Sequence, residues 1–187
     1  SKSGSEDGTV HVFDVATGKE LGDVIPRVNG GTAGGSLTWL GDGSGFFYPR
    51  LWPGSAKGPA VDQLARGRQF LHRIGTPQSA DVPVFGFGLT PSIAIDKADL
   101  PTRVYTAPGS AWLVASLYRS TESGTQWFFA PLTQPLTNVP DWKALASVRG
   151  KVSLPQLHGD TVYALSGGTS DRGQIVRRVL RADGDGE

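Results

Sequence analysis

Residues 36–48 read SLTWLGDGSGFFY, and this stretch decides the fold class. Ser36–Leu40 and Gly45–Tyr48 are short apolar runs with aromatic side chains, of the kind that suits a strand. Between them, Asp42-Gly43 and Ser44-Gly45 supply residues that tolerate φ > 0, which a tight strand connection needs. The stretch therefore predicts a hairpin. Phe46, Phe47 and Tyr48 put bulky groups on both faces of its second strand, since successive side chains point to opposite sides. Such a strand has to be covered on both sides.

The same grammar extends in both directions. Upstream, Val10–Asp14 alternates and Ala16-Thr17-Gly18-Lys19 turns the chain. Downstream, a Pro/Gly/Ala-rich loop from about Pro53 to Gly67 precedes Gln69–Ile74 and Val82–Phe85, a strand pair around Gly75-Thr76-Pro77-Gln78. The pattern recurs as Ala111–Tyr118, a turn at Glu122-Ser123-Gly124 and Gln126–Ala130, with Trp142–Ser147 closing the unit. It returns again as Val152–Leu157, the turn His158-Gly159-Asp160, Thr161–Ser166, a loop over Gly167–Gly173, and Gln174–Leu180. The corresponding strands (FFY, WLV, VYA) come back roughly every 50–65 residues, the spacing of four-stranded blades with insertions. No stretch sustains apolar spacing of three and four, and Pro101, Pro140 and Pro155 would interrupt helices. The expectation is an all-β partial β-propeller of about three to four blades of four-stranded antiparallel sheet. Its approximate units are 1–35, 36–100, 101–150 and 151–187. A β-sandwich shares the short strand spacing; the repeated hairpin–loop–hairpin period favours the propeller.

Composition narrows the function. Among 187 residues there are 26 Gly and 13 Pro, spread along the chain as many turns and not as one tract. Eight Phe, four Tyr and five Trp supply a core. The 18 basic and 17 acidic residues are intermixed and form no basic stripe, so a nucleic-acid-binding surface is not expected. No apolar run approaches the ~20 residues that span a bilayer as a helix, so no membrane partner is expected. Without Cys, disulfides, thiolate metal sites and a Cys nucleophile are excluded. Met is absent even at position 1, and the polar start SKSGSEDG is unlike a signal peptide, so the chain is expected to be an internal segment. A cytoplasmic and a periplasmic location fit equally well.

Four segments carry a family resemblance: DVATGKEL (14–21), WLGDGSGFFYPR (39–50), FLHRIGTPQSADVPVF (70–85) and WLVASLY (112–118). In order, spacing and turn chemistry they resemble the first blades of the prolyl oligopeptidase (prolyl endopeptidase) family of serine peptidases. The similarity continues more weakly through HGDTVYALSGGTSDRGQIVRRV (158–179). The resemblance implies a propeller that gates access to a separate α/β-hydrolase domain, in which a Ser–Asp–His triad cleaves short peptides after proline. The hydrolase domain and the remaining blades would then be this chain's partners, with short peptides as substrates of the whole. An oligopeptidase that prefers basic residues shares the architecture, and a non-catalytic propeller that binds a protein or peptide is the alternative from another class. Incomplete closure leaves open blade faces and edges, from which self-association of the segment is expected.

No residue here is assigned a catalytic, cofactor-binding or metal-binding role. A nucleophile elbow G-x-S-x-G is missing; Ser36 and Ser166 have Gly on one side only and are expected to be strand-end serines. His11, His72 and His158 are far apart in sequence, and His72 is expected to be a satisfied structural histidine. Asp81, Asp96 and Asp99 are expected to cap turns. The Gly-rich Asn29–Gly35 lacks the Lys-Ser/Thr of a phosphate loop and leads into a strand. The resemblance places this stretch beside the substrate cleft, but the aromatic the family commonly carries there is missing. Trp52, Trp112, Trp127 and Trp142 are expected to pack between blades. The tail Asp183–Glu187 lacks calcium-loop spacing and is expected to be a connecting loop or a frayed end.

Overall fold

The computed structural model describes residues 7–29, 36–52, 54, 64–119, 124–145, 155–166 and 173–186. They form β1 (Asp7–Phe13), β2 (Glu20–Asn29), β3 (Thr38–Trp39), β4 (Gly45–Arg50), β5 (Arg68–Arg73), β6 (Val82–Gly86) and β7 (Leu100–Tyr105). Then follow β8 (Trp112–Arg119), β9 (Gly124–Pro131), β10 (Lys143–Ala144), β11 (Gln156–His158), β12 (Thr161–Ser166), β13 (Gln174–Arg181) and β14 (Gly184–Gly186). Every pairing is antiparallel. β3 to β6, β7 to β10 and β11 to β14 each make a four-stranded meander. The β1–β2 hairpin joins the first meander through the single pair Val28–Arg50. FFY, WLV and VYA fall on β4, β8 and β12, the second strand of each meander. The chain is thus all-β, a partial propeller.

The predicted hairpins stand, with differences at three places. Residues 100–105 form β7, although Pro101 reads as a breaker; it takes a position in the first strand of its sheet beside a register shift, where the missing N–H is tolerated. Ser36–Leu40 shortens to the two-residue β3. The tail 184–186 is a fourth strand, pairing with Val179, Leu180 and Arg181, and not a loose end.

Two-residue periodicity binds the sheets into a stack. On β8 and β9, Leu113, Ala115, Leu117, Phe128 and Ala130 pack toward the first meander, against Phe47, Leu71, Val84 and Phe85. The alternate residues Trp112, Val114, Trp127 and Phe129 pack the other way, against Leu157, Val162, Ala164 and Leu180 of the third. Both faces of the middle sheet are therefore covered, and 112–117 is buried at every position. Polar groups bridge the sheets as well. Trp142 Nε1 donates to the Val84 carbonyl at 2.7 Å, and the Tyr105 hydroxyl donates to the carbonyl of Pro155.

The β1–β2 hairpin covers part of the remaining face of the first meander, leaving Leu37 and Trp39 exposed. Val12, Ile25 and Val28 meet Phe46 and Tyr48 there. A polar chain runs through this apolar seam. Asp23 of β2 accepts from His72 Nε2 at 3.0 Å and from the Gly75 N–H at 2.6 Å. His72 Nδ1 reaches Asp81 at 2.7 Å, and the Tyr48 hydroxyl donates to the other Asp81 oxygen at 2.6 Å. The His72 ring thus bridges the two carboxylates, one at each of its nitrogens. Burial, and then the hydrogen bond and charge of Asp81, push the Tyr48 hydroxyl above its ordinary pKa, which keeps its proton in the bond. Asp81 is thus no turn cap but a buried partner of His72 and Tyr48. Asp96 and Asp99 do cap, accepting from the Ala98 and Asp96 N–H groups at 3.0 and 2.9 Å. Asp99 also accepts from Arg119 at 2.8 Å.

His72→Ala leaves two carboxylates buried without their shared donor, and is expected to cost about 3–5 kcal/mol of unfolding free energy in denaturant titration. A loss below about 1 kcal/mol would mean that the seam tolerates both charges alone. Leu113→Ala opens a cavity between the first and second meanders and is expected to cost about 2–5 kcal/mol in the same titration.

Candidate binding face

Strand alternation gathers particular residues at one end of the first meander. β4 finishes at Arg50 opposite Arg68, the first residue of β5, and Arg68 is in turn opposite Gly86, the last of β6. The last residues of β2 and the first of β7 arrive at the same end, where Asn29, Arg50, Arg68 and Leu100 line one crevice. The tight turns 41–44 and 74–78 lie at the other end. The loop end is therefore where this meander has room for a site.

Two cavities open there. One, of about 390 Å³, is bounded by Thr9, His11, Val28, Asn29, Leu37 and Pro49. The other, of about 310 Å³, is lined by Arg50, Leu51, Trp52, Arg66, Arg68 and Phe70. The Arg66 guanidinium lies over the Trp52 ring, 4.4 Å from its centroid, and that of Arg50 lies 5.2 Å from the centroid of Phe70. Arg68 Nε donates to the Phe87 carbonyl at 2.8 Å. Arg27 props up this wall. It is the extra residue of a bulge, skipped between the pairs Gly8–Val28 and Thr9–Pro26, with φ at +61°. From there its guanidinium pairs with Asp7 and donates to the Trp52 carbonyl at 3.2 Å.

The histidines do not meet: His11 is on β1, His72 on β5 and His158 on β11. His11 pairs with Glu20 at the exposed edge of the hairpin. The His72 ring uses its two nitrogens on two different carboxylates, a hydrogen-bonded chain and not a ligand cage. Among the described residues no group of three His, Asp or Glu side chains is arranged to hold a metal ion. Ser36 Oγ donates to the Thr102 carbonyl at 3.3 Å, and Ser166 closes β12 opposite Gln174. Of the Gly-rich stretch Asn29–Gly35, only Asn29 lies within the described residues. Trp112, Trp127 and Trp142 are buried between sheets, whereas Trp52 is 38% exposed at the cavity rim. Trp52 departs from the expected packing between blades: β4 ends two residues earlier, at Arg50, and the ring lies under the Arg66 guanidinium instead.

The arginine cluster is absent from the sequence-based expectations. One signal pointed to it: Arg50 and Arg68 bracket the Pro/Gly-rich loop and, once the hairpin closes, stand directly opposite one another.

The chain matches the family described as "Prolyl oligopeptidase, N-terminal beta-propeller domain" over residues 1–185. No curated protein matches it. Among solved structures it is similar to a prolyl endopeptidase from a study of inter-domain dynamics in catalysis and specificity, with 26% identity and a TM-score of 0.74. That likeness covers 99% of this chain and 24% of the other. Prolyl oligopeptidase B from Galerina marginata, bound to a 35mer substrate, shares 17% identity at a TM-score of 0.72, over 98% of this chain and 25% of that one. Oligopeptidase B from Leishmania major shares 16% at 0.60, over 95% and 22%. The chain thus spans about a quarter of the length of these enzymes. With three stacked antiparallel meanders and a family match running almost end to end, the chain belongs to the N-terminal β-propeller domain family of the prolyl oligopeptidases.

Proposed function

We propose that this chain is the substrate-gating propeller portion of a serine peptidase that cleaves short peptides after proline, and that it supplies no catalytic residue itself. The observation that carries the reading is the match to the propeller family over residues 1–185, joined to 26% identity with a prolyl endopeptidase. In this reading the bond-breaking apparatus sits in the part of the polypeptide beyond this quarter. There a serine attacks, a histidine carries the proton and an aspartate orients the histidine. The packed blades contribute a stiff wall that admits short, unfolded peptides and holds back folded ones.

The uncovered faces fit a chain that continues. On the third meander Tyr163, Leu165 and Ile175 face away from the core and are 39%, 46% and 79% exposed. They are the alternate positions to the buried Val162 and Ala164, in the pattern that on β8 serves a second neighbour. At the opposite end of the stack Leu37 and Trp39 are 45% and 51% exposed. We assign these faces to further blades of the same polypeptide; without them the segment associates with itself.

Two measurements test the reading. The whole polypeptide carrying residues 1–187 is expected to hydrolyse a chromogenic peptide after proline and to lose that activity to a serine-directed inhibitor, while the 187-residue chain shows no turnover. Inhibitor-sensitive turnover by the 187-residue chain, or cleavage by the whole polypeptide only after Lys and Arg, contradicts it. In sedimentation velocity the 187-residue chain is expected to form concentration-dependent oligomers that weaken in the Leu165→Lys, Ile175→Lys variant. A clean monomer at high concentration contradicts the assignment of the open face.

A further inference from the structure

Like charges directly opposite on neighbouring strands destabilise a sheet, yet Arg50 and Arg68 stand opposite each other at the end of the β4–β5 pair. A third cation, Arg66, joins them. It holds φ at +57°, a left-handed conformation that an arginine adopts at a cost. No described carboxylate forms an ion pair with any of the three. Nε of Arg50 is shielded from solvent and has no acceptor. A cross-strand repulsion, a strained backbone and an unsatisfied donor thus coincide around one cavity of about 310 Å³. The chain as a whole carries a net charge of only +1, so this is a local concentration of positive charge.

The aromatic residues define what the cavity recognises. With Arg66 over Trp52 and Arg50 over Phe70, each guanidinium has one face occupied. A ring over one face leaves the in-plane terminal Nη donors of Arg50 and Arg66 uncovered by that ring, and paired N–H groups of this kind suit the two oxygens of a carboxylate. Arg68 is held by the Phe87 carbonyl and adds a fixed charge to the wall. Leu51, Trp52 and Phe70 offer apolar surface for the aliphatic part of a side chain. The volume accommodates an acidic side chain with a short piece of backbone.

We propose that Arg50, Arg66 and Arg68, with Trp52 and Phe70, form a binding site for a carboxylate carried by a peptide, at the loop end of the first meander. This goes beyond the peptidase reading and does not need it, because it concerns binding by residues this chain contains. The carboxylate can come from an acidic side chain or from a peptide C-terminus, and the guanidinium chemistry is the same for both.

Isothermal titration of the whole chain tests it with three blocked or free peptides: acetyl-Ala-Glu-Ala-amide, acetyl-Ala-Gln-Ala-amide and acetyl-Ala-Gln-Ala with a free C-terminus. The glutamate peptide, the free-terminus peptide or both are expected to bind at least about 10-fold more tightly than the doubly neutral one, and which of them does identifies the source of the carboxylate. Arg66→Gln and Arg50→Gln are each expected to weaken that binding about 10-fold or more, with Lys19→Gln on the distant hairpin turn leaving it unchanged. In the unmutated chain the affinity is expected to fall as salt rises, a readout that does not depend on a variant folding. Equal affinity for all three peptides, no binding of any, unchanged affinity in both arginine variants, or displacement of the peptide by an equal concentration of inorganic phosphate overturns the proposal. None of these readouts involves cleavage, so their failure leaves the peptidase reading to its own test.

Discussion

The structure depends on one constraint: each central strand must satisfy two neighbours at once. Side chains of β8 alternate between Phe85 and its surroundings on one face and Val162 with Leu180 on the other. A strand in a two-layer sandwich has one apolar face and one wet face, and reads as alternation. A strand inside a stack of blades has two apolar faces and reads as a run. Ala111–Tyr118 and Gly45–Tyr48 are such runs. Burying both faces removes roughly twice the apolar area per strand, at about 25 cal/mol per Å². It also explains why short strands of two to eight residues suffice in the three meanders.

Where the stack begins, apolar contact alone does not hold the hairpin. The seam between β1–β2 and the first meander contains Asp23, His72, Asp81 and Tyr48, all joined by hydrogen bonds. A network of this kind adds little net stability over a well-packed apolar seam, but it penalises any displacement of one member, because each partner left behind is buried and polar. The arrangement therefore fixes register. It holds β2 so that the Arg27 bulge meets the Trp52 carbonyl at the loop end. The buried network at the turn end and the wall of the arginine cavity at the loop end thus share one strand, β2.

Much of the fold was legible because turns declare themselves locally. Gly43 and Gly75 take up positive φ in their turns, whereas Gly45 is already in the extended β4, and most strands beside such turns lie within about three residues of where the sequence put them. β7 was not legible, since Pro101 and Thr102 give no alternation and the strand exists only because β8 offers it a partner. β14 was missed for the same reason: Gly184–Gly186 has no strand propensity and is ordered by β13. The pairing of Asp81 with His72 could be suspected from neither residue, because it depends on the hairpin geometry that brings β5 and β6 together. The arginine cavity was hidden similarly. Arg50 and Arg68 are 18 positions apart in sequence and become neighbours only through the β4–β5 register.

The two-sided stacking of the middle sheet is tested most directly by nuclear Overhauser contacts from two adjacent residues, Phe128 and Phe129. The account predicts that the Phe128 ring shows contacts to Phe85, whose centroid lies 5.5 Å away, and none to the third meander. The Phe129 ring is predicted to show contacts to residues of its own cluster such as Val162 and Leu180, and none to Phe85. Contacts from both rings to the same neighbouring sheet would contradict the stacked-blade architecture.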